Sequence, residues 1–484
     1  MIVYVVSRAR VAGVSFRMAT RIIPGAVGPT SLRALVLTDQ STPPELELVD
    51  VRGAPTPPLA VKHHGSGDER FDQHVIGAGV RMFVAEASGL KPGADYQIGA
   101  THIKTLPRTL PATGFRFALA SCYSDDFKRH GDYLKVLQGS TTFGQLQAKL
   151  LVGDNVYVDV GSIGAQARSG FEETAERYLR HFWRSGYADV LSYLPTFTMW
   201  DDHEFWNNYP ESQFWLPRSM NARHEEFRDA ALAGIKAFQA VLNPPPAARQ
   251  GMSYRFELPS LSVFALDLRA HRSRHEIANP VMCSEPELVA FERWAAALTT
   301  PGALVVGQPL WIGAGDWKDW NPPAFAAQYA RIWKALAAAP FDIVVLSGDV
   351  HHSRLLEIEV GAGRRVWELI SSPACHIPTV EAIAARAFDV QPGAGGVGFP
   401  LEIAGAAGAR LAAYHMGTGI SNTIALVKLS PADDDGVAVS GSFVDLVKKT
   451  VAPWARPPDR CPIAAGDHAW CKRDPMFVLR RRSA

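Results

Sequence analysis

The 484-residue chain predicts an α/β fold preceded by a small all-β segment. Three observations carry that prediction. From about residue 115 onward, short apolar runs alternate with longer segments of helical periodicity, the sequence form of strands joined by helices. Several of those runs break directly into acid, amide, His or Cys, as strands do where their carboxyl ends are exposed. Before residue 110 there are only short alternating or β-branched runs, separated by Gly, Pro and Ser clusters.

The elements follow in order. MIVYVVS, VSFRMATR, SLRALVLTD, LELVDV, RMFVAEA and DYQIGATHIKTL read as strands of a β-sandwich domain over residues 1–110, with Tyr96 at a corner. PRTLPATG, at 107–114, reads as a linker. An α/β domain over 111–452 follows. Its strand ends are ALASCYSDD, LVGDNVYVD, TFTMWDDHEFWNN, VFALDLRAHR, LVVGQP and IVVLSGDVHHS. Apolar residues at helical spacing mark RSGFEETAERYLRHFWRSGY, PRSMNARHEEFRDAALAGIKAFQAVL, SEPELVAFERWAAALTT and PPAFAAQYARIWKALAAA as helices. VQPGAGGVGFPLEIAGAAGA reads as a Gly-rich loop near the site, and residues 453–484 as a Pro-rich tail.

Composition narrows the function. Hydrophobic content of 47% and charged content of 20% are globular values. A net charge of +1 gives no reason to expect a nucleic-acid or membrane partner. No apolar run reaches the ~18 residues of a membrane helix. The N-terminus lacks the basic-then-apolar order of a secretion signal, so a cytoplasmic location is expected, or a periplasmic or secreted one had a leader been removed. Five cysteines are too few for a disulfide framework. Cys461 and Cys471 would pair only in an oxidising compartment. Cys283 and Cys375 are expected as small buried residues.

The strand ends carry the chemistry, because ligands of open α/β sheets bind at carboxyl ends. Asp154 can bridge two metals with one carboxylate. Tyr157 either packs under the sheet or offers a phenolate suited to ferric iron. Asp202 can hold a second metal while His203 acts as general acid. Asp201 and Glu204 would orient that His or bind metal. Asp349 and His351, two apart on an extended segment, would face one side, with His352 facing the other. Cys122 stands at the first strand end of the domain. Thiolate, phenolate, carboxylate and imidazole together favour a redox-capable iron over Mg²⁺. Arg269 either clamps a phosphate oxygen or pairs with Asp267.

Taken together, GDNVYVD, WDDHEFWNN, LDLRAHR and LSGDVHHS resemble the PhoD-like alkaline phosphatase/phosphodiesterase family, within the calcineurin-like metallophosphoesterases. The resemblance implies a four-layer α/β/β/α sandwich behind an N-terminal domain similar to fibronectin type III. It implies Fe(III) with one or more Ca²⁺, with Zn²⁺ or Mn²⁺ as alternatives. Cys122, Asp154, Tyr157 and His351 would hold iron; Asp154 would be shared with calcium, and Asp202 and Asp349 would complete the site. His203 matches the histidine of the superfamily's Asn-His-Glu/Asp motif, and Gln308 falls where a middle His ligand is common. Ser121-Cys122 replaces the superfamily's Asp-x-His, and Asn155 stands where a larger polar residue is expected. The implied reaction is hydrolysis of a small-molecule phosphodiester or phosphomonoester by metal-activated hydroxide, with His203, Asp202 and Arg269 as catalytic residues. The rivals are another metallohydrolase chemistry on the same site and a partner-binding protein with a vestigial metal site.

Overall fold

The computed structural model describes residues 20–125, 130–139, 145–159, 169–212, 219, 224–311, 325–361, 364–375, 402–403, 406–407, 409–416, 422–433, 436–454 and 477–482. The strand expected at residues 1–7, most of the Gly-rich loop, Cys461 and Cys471 lie outside them.

The segment before residue 110 forms two antiparallel sheets. Thr20–Val27, Ser31–Thr38, Arg81–Ser88 and Ala60–His63 make one, in that spatial order. Leu48–Asp50, Asp95–Ile98 and Thr101–Lys104 make the other. The run DYQIGATHIKTL is therefore a hairpin rather than a single strand, turning where Gly99 has φ +54°. Tyr96 accepts the Lys91 N–H at 2.9 Å. A helix, Glu69–Gly77, occurs where the sequence shows only strand-type runs. It buries only Phe71 and Val75, a single i,i+4 pair too short for periodicity to reveal. Asp68 caps it, accepting the Arg70 N–H at 3.0 Å.

This segment buttresses the rest. Ile23, Leu35 and Phe71 share a core with Phe238, Val241 and Leu242. Arg33 donates to the Asn243 carbonyl at 3.1 Å, and Asn243 Oδ1 accepts the Thr198 N–H at 2.9 Å. Thr198 sits on the strand that leads into Asp201 and Asp202.

Two seven-stranded mixed sheets follow. In the first, Thr196–Met199, Ala148–Val152 and Phe115–Ala120 run parallel, and Thr423–Pro431, Val437–Asp445 and Thr450–Pro453 continue it antiparallel. Phe477–Leu479 also pairs with Val437–Asp445. In the second, Leu261–Ala265, Gly302–Val305, Ile343–Ser347 and Arg365–Ile370 run parallel. Tyr254–Leu258 flanks them on one side, and Arg354–Val360 and Ala409–Met416 on the other.

Period-two alternation decides what each strand face meets. Phe115, Phe117 and Leu119 join Leu150 and Phe197 in one core with Val263, Ala303 and Leu346 of the second sheet. Ala118 and Ala120, facing the other way, pack with Phe171, Tyr178 and Leu191 of the helices Gly170–Leu179 and Tyr187–Ser192. On the outer face of the second sheet, Phe264, Leu304 and Val345 meet Leu288, Phe291 and Trp333 of Glu285–Ala296 and Ala326–Ala338. Residues of both sheets thus share one core and helices share two others, in which each fully buried Leu or Phe stabilises by roughly 1.5–3 kcal/mol. Among the described residues no helix is long and apolar enough to cross a membrane.

Candidate metal centre

The two sheets bring their carboxyl ends together. Glycine makes the approach possible: a Cβ at Gly348 would stand 2.3 Å from the Val152 carbonyl oxygen, and one at Gly307 2.6 Å from that of Trp200. Six strand ends thus meet, and with them the residues singled out by sequence.

Three groups of ligand-type side chains form there, each with its ligand atoms within 4.8 Å of one another: Cys122, Asp154 and His351; Asp154, Asp202 and His203; Asp201, Asp202 and Asp349. Asp154 belongs to the first two and Asp202 to the last two, so the groups form one continuous cluster. The Cys122 Sγ lies 3.4 Å from Asp154 Oδ2 and 3.1 Å from Ser372 Oγ. The Tyr157 hydroxyl is 3.5 Å from the same Asp154 oxygen, and its ring lies 4.1 Å from that of His203.

The backbone is strained where these side chains converge. Cys122, Asp154, Asp349 and His351 all have φ between +53° and +68°. Non-glycine residues adopt this region at a cost, and such outliers gather at functional sites. Asp349 and His351 accordingly stand on a turn after the strand Ile343–Ser347, not on an extended segment. They enter different groups of the cluster instead of sharing a strand face. The His351 N–H donates to Ser372 Oγ at 3.0 Å, and His352, buried, has Nδ1 2.7 Å from the Val350 carbonyl.

The electrostatics call for a cation. Burial, then the charges of Asp202, Cys122 and Asp349, hold the Asp154 carboxyl well above the usual carboxylate range. Burial likewise pushes the Cys122 thiol up to about 12, with Asp349 adding to it. The Tyr157 phenol is also raised, first by burial. Buried acids this close cannot all ionise by themselves, and a bound cation inverts that balance. Carboxylate, thiol, phenol and imidazole donors on one buried cluster fit a metal centre.

His203 is held by a partner that the sequence did not mark. Its Nδ1 lies 2.9 and 3.0 Å from the two Asp159 oxygens, and Asp159 also accepts the Asn207 N–H at 2.9 Å. Burial opposes charge on this imidazole, but Asp159, Asp202 and Asp349 raise it to about 10. The signal for Asp159 was present as the last residue of GDNVYVD, five after Asp154.

Glu204 neither orients His203 nor joins a ligand group. Its carboxylate accepts the N–H groups of Asp154, Asn155, Val156 and Asp201, and Gln239 Nε2 at 3.0 Å. It staples the two loops that carry Asp154 and Asp202. Asn155 supports the same junction, donating to the Met199 carbonyl at 2.7 Å and to Gln239 Oε1 at 3.0 Å. Asp202 Oδ2 accepts the Asn208 N–H at 2.5 Å.

Arg269 is 1% exposed. Its Nε donates to Asp201 Oδ1 at 2.6 Å, Nη1 to the Tyr209 carbonyl at 2.7 Å and Nη2 to Gln308 Oε1 at 3.0 Å. Asp267 caps the turn, accepting the N–H groups of Arg269 and Ala270. Arg269 therefore ties Asp201 to the second sheet. Cys283 and Cys375 are buried free thiols.

A mixed α/β fold with a buried ligand cluster at converging strand ends defines the class: an α/β protein built around a candidate metal centre. The family model for PhoD-like phosphatases matches residues 117–386, more than half of the chain, and the chain belongs to that family. No curated protein matches it.

Proposed function

We propose that this protein is a metal-dependent hydrolase of small-molecule phosphoesters. The observation that carries the reading is the continuity of the three ligand groups through Asp154 and Asp202. Cys122, Asp154, Tyr157 and His351 would hold Fe(III). Asp154, Asp202 and Asp349 would hold Ca²⁺, whose preference for oxygen ligands suits the carboxylate half. When bound, such metals supply a nucleophile at neutral pH and neutralise charge on the phosphoryl group.

The protein's own residues do the rest. Asp159 fixes the His203 ring through Nδ1, which leaves Nε2 to protonate the leaving oxygen. The Asp159 carboxylate beside Nδ1 favours the protonated imidazole. Arg269 acts by holding Asp201 in place. One core shared by the two sheets and separate cores shared with helices support a four-layer sandwich over residues 111–452. Residues 20–110 would act as a fibronectin III-like buttress, and Phe477–Leu479, within the expected tail, pairs instead with the first sheet.

The test is elemental analysis of the purified protein with a visible spectrum, then assay of aryl phosphodiesters and phosphomonoesters with added calcium. About one iron per chain, a phenolate charge-transfer band and turnover are expected. Zinc or manganese with no band would return Cys122 and Tyr157 to packing roles. No turnover of either ester by metal-loaded protein would overturn the hydrolase reading.

A further inference from the structure

Gln308 follows the strand Gly302–Val305 at the junction of the two sheets, and no side chain of the proposed mechanism accounts for it. It is fully buried. Its Oε1 accepts from Arg269 Nη2 at 3.0 Å and from Arg272 Nη1. Two guanidinium donors on one oxygen fix the polarity of the amide, because the reversed amide would set N–H against N–H. Arg272 is itself held, with its guanidinium 4.5 Å over the Phe325 ring. The remaining amide group is therefore a donor only. It presents no lone pair and cannot replace an imidazole as a metal ligand.

That donor, Nε2, is buried and meets no acceptor among the described residues. A buried N–H without an acceptor costs about 1–3 kcal/mol, so such groups are normally met by something. Its surroundings are those of the metal centre. Gln308 Oε1 is one guanidinium away from Asp201, whose ligand atom lies within 4.8 Å of those of Asp202 and Asp349. The preceding Gly307 packs against the same Asp201. Two arginines on Oε1 also polarise the amide and strengthen its N–H as a donor.

We propose that Gln308 Nε2 is a substrate-binding donor, hydrogen-bonded to a non-bridging phosphoryl oxygen of the phosphoester and of the phosphate product. This rests on the phosphoesterase reading above. Where an imidazole would add a ligand, this chain spends the position on recognising an anionic oxygen.

The test is binding of inorganic phosphate to metal-loaded protein by titration calorimetry, for wild type, Gln308→Glu and Gln308→Met. Glu keeps an oxygen for both arginines and loses the donor. Met loses the donor without adding charge. Both variants should bind phosphate at least about tenfold more weakly and show a raised KM for an aryl phosphoester, with metal content kept in both. Tm should be kept in Gln308→Glu, while Gln308→Met, which also takes the acceptor from Arg269 and Arg272, should melt lower. Wild-type phosphate affinity in both would overturn the proposal and assign Nε2 to an internal water. Loss of metal in Gln308→Glu would overturn it in favour of a structural role. Wild-type protein that binds no phosphate would instead overturn the phosphoesterase reading itself.

Discussion

Two buried carboxylates, Glu204 and Asp154, lie within one hydrogen bond of each other's loops and play opposite parts. Both are inaccessible to solvent, and burial raises both, Glu204 to about 7. Glu204 is met by backbone N–H groups and the Gln239 amide, all donors. Asp154 accepts from the Cys122 thiol and the Tyr157 phenol at Oδ2, 3.4 and 3.5 Å away, and from the His203 N–H at Oδ1 at 3.3 Å, but it also faces the carboxylates of Asp202, Asp349 and Asp201. The first environment is complete without a ligand. The second crowds acids together, and either protonation or a bound cation relieves it. Solvent exposure does not separate structural acids from functional ones here; the identity of the surrounding groups does.

The largest expected effect is on the Asp154 side. Asp154→Asn should abolish phosphoester turnover and lower metal content. It should also raise the Tm of metal-stripped protein above that of stripped wild type, since it removes one of several buried like charges. Calorimetry on both stripped proteins checks this. A lower Tm in stripped Asp154→Asn would mean that the carboxylate is structurally satisfied, and the comparison with Glu204 would collapse.

Glu204→Ala should act through stability. Four backbone N–H groups would lose their acceptor, costing on the order of 4 kcal/mol or more in total. Glu204→Gln keeps one acceptor oxygen and should cost less. Unfolding by urea measures both. A Glu204→Ala protein as stable as wild type would show that water replaces the carboxylate freely.

Chelation separates the two sites again. Removing metal should lower the unfolding free energy of wild type, and with it the Tm, by the linkage amount of about 2.7 kcal/mol where the metal stood at a hundred times its dissociation constant. Asp154→Asn, already short of metal, should shift much less. An equal shift in both would place the stabilising metal elsewhere.

What was legible follows the same division. Strand ends were legible because a buried parallel strand leaves an apolar run, and its polar exit stands out, as at Asp154, Asp202 and Asp349. The helix Glu69–Gly77 was not, since two buried residues make no period. The ligand types were readable from residue chemistry, but their grouping was not. Asp349 and His351 separate into different groups because positive φ at both breaks the alternation an extended segment would impose. Partners across the fold were hidden for another reason. Arg269 meets Asp201 across 68 positions and Glu204 meets Gln239 across 35, and no local spacing encodes such contacts. Asp159 has an ordinary acid's signature until His203 is seen beside it.

The last prediction concerns His203, the proposed proton donor. His203→Gln should lower kcat by ~10²–10⁴-fold for an ester with a poor leaving group, the usual range for general acids. The loss should shrink for a nitrophenyl ester, whose leaving oxygen needs no proton. Asp159→Asn should cost less, on the order of 10–100-fold, because it disturbs only the ring's orientation and charge. It should show the same dependence on the leaving group, in which a merely structural defect would lower both esters alike. Equal losses for good and poor leaving groups in both variants would remove His203 from proton transfer. That would leave it, like Glu204, a group whose value lies in the contacts it completes.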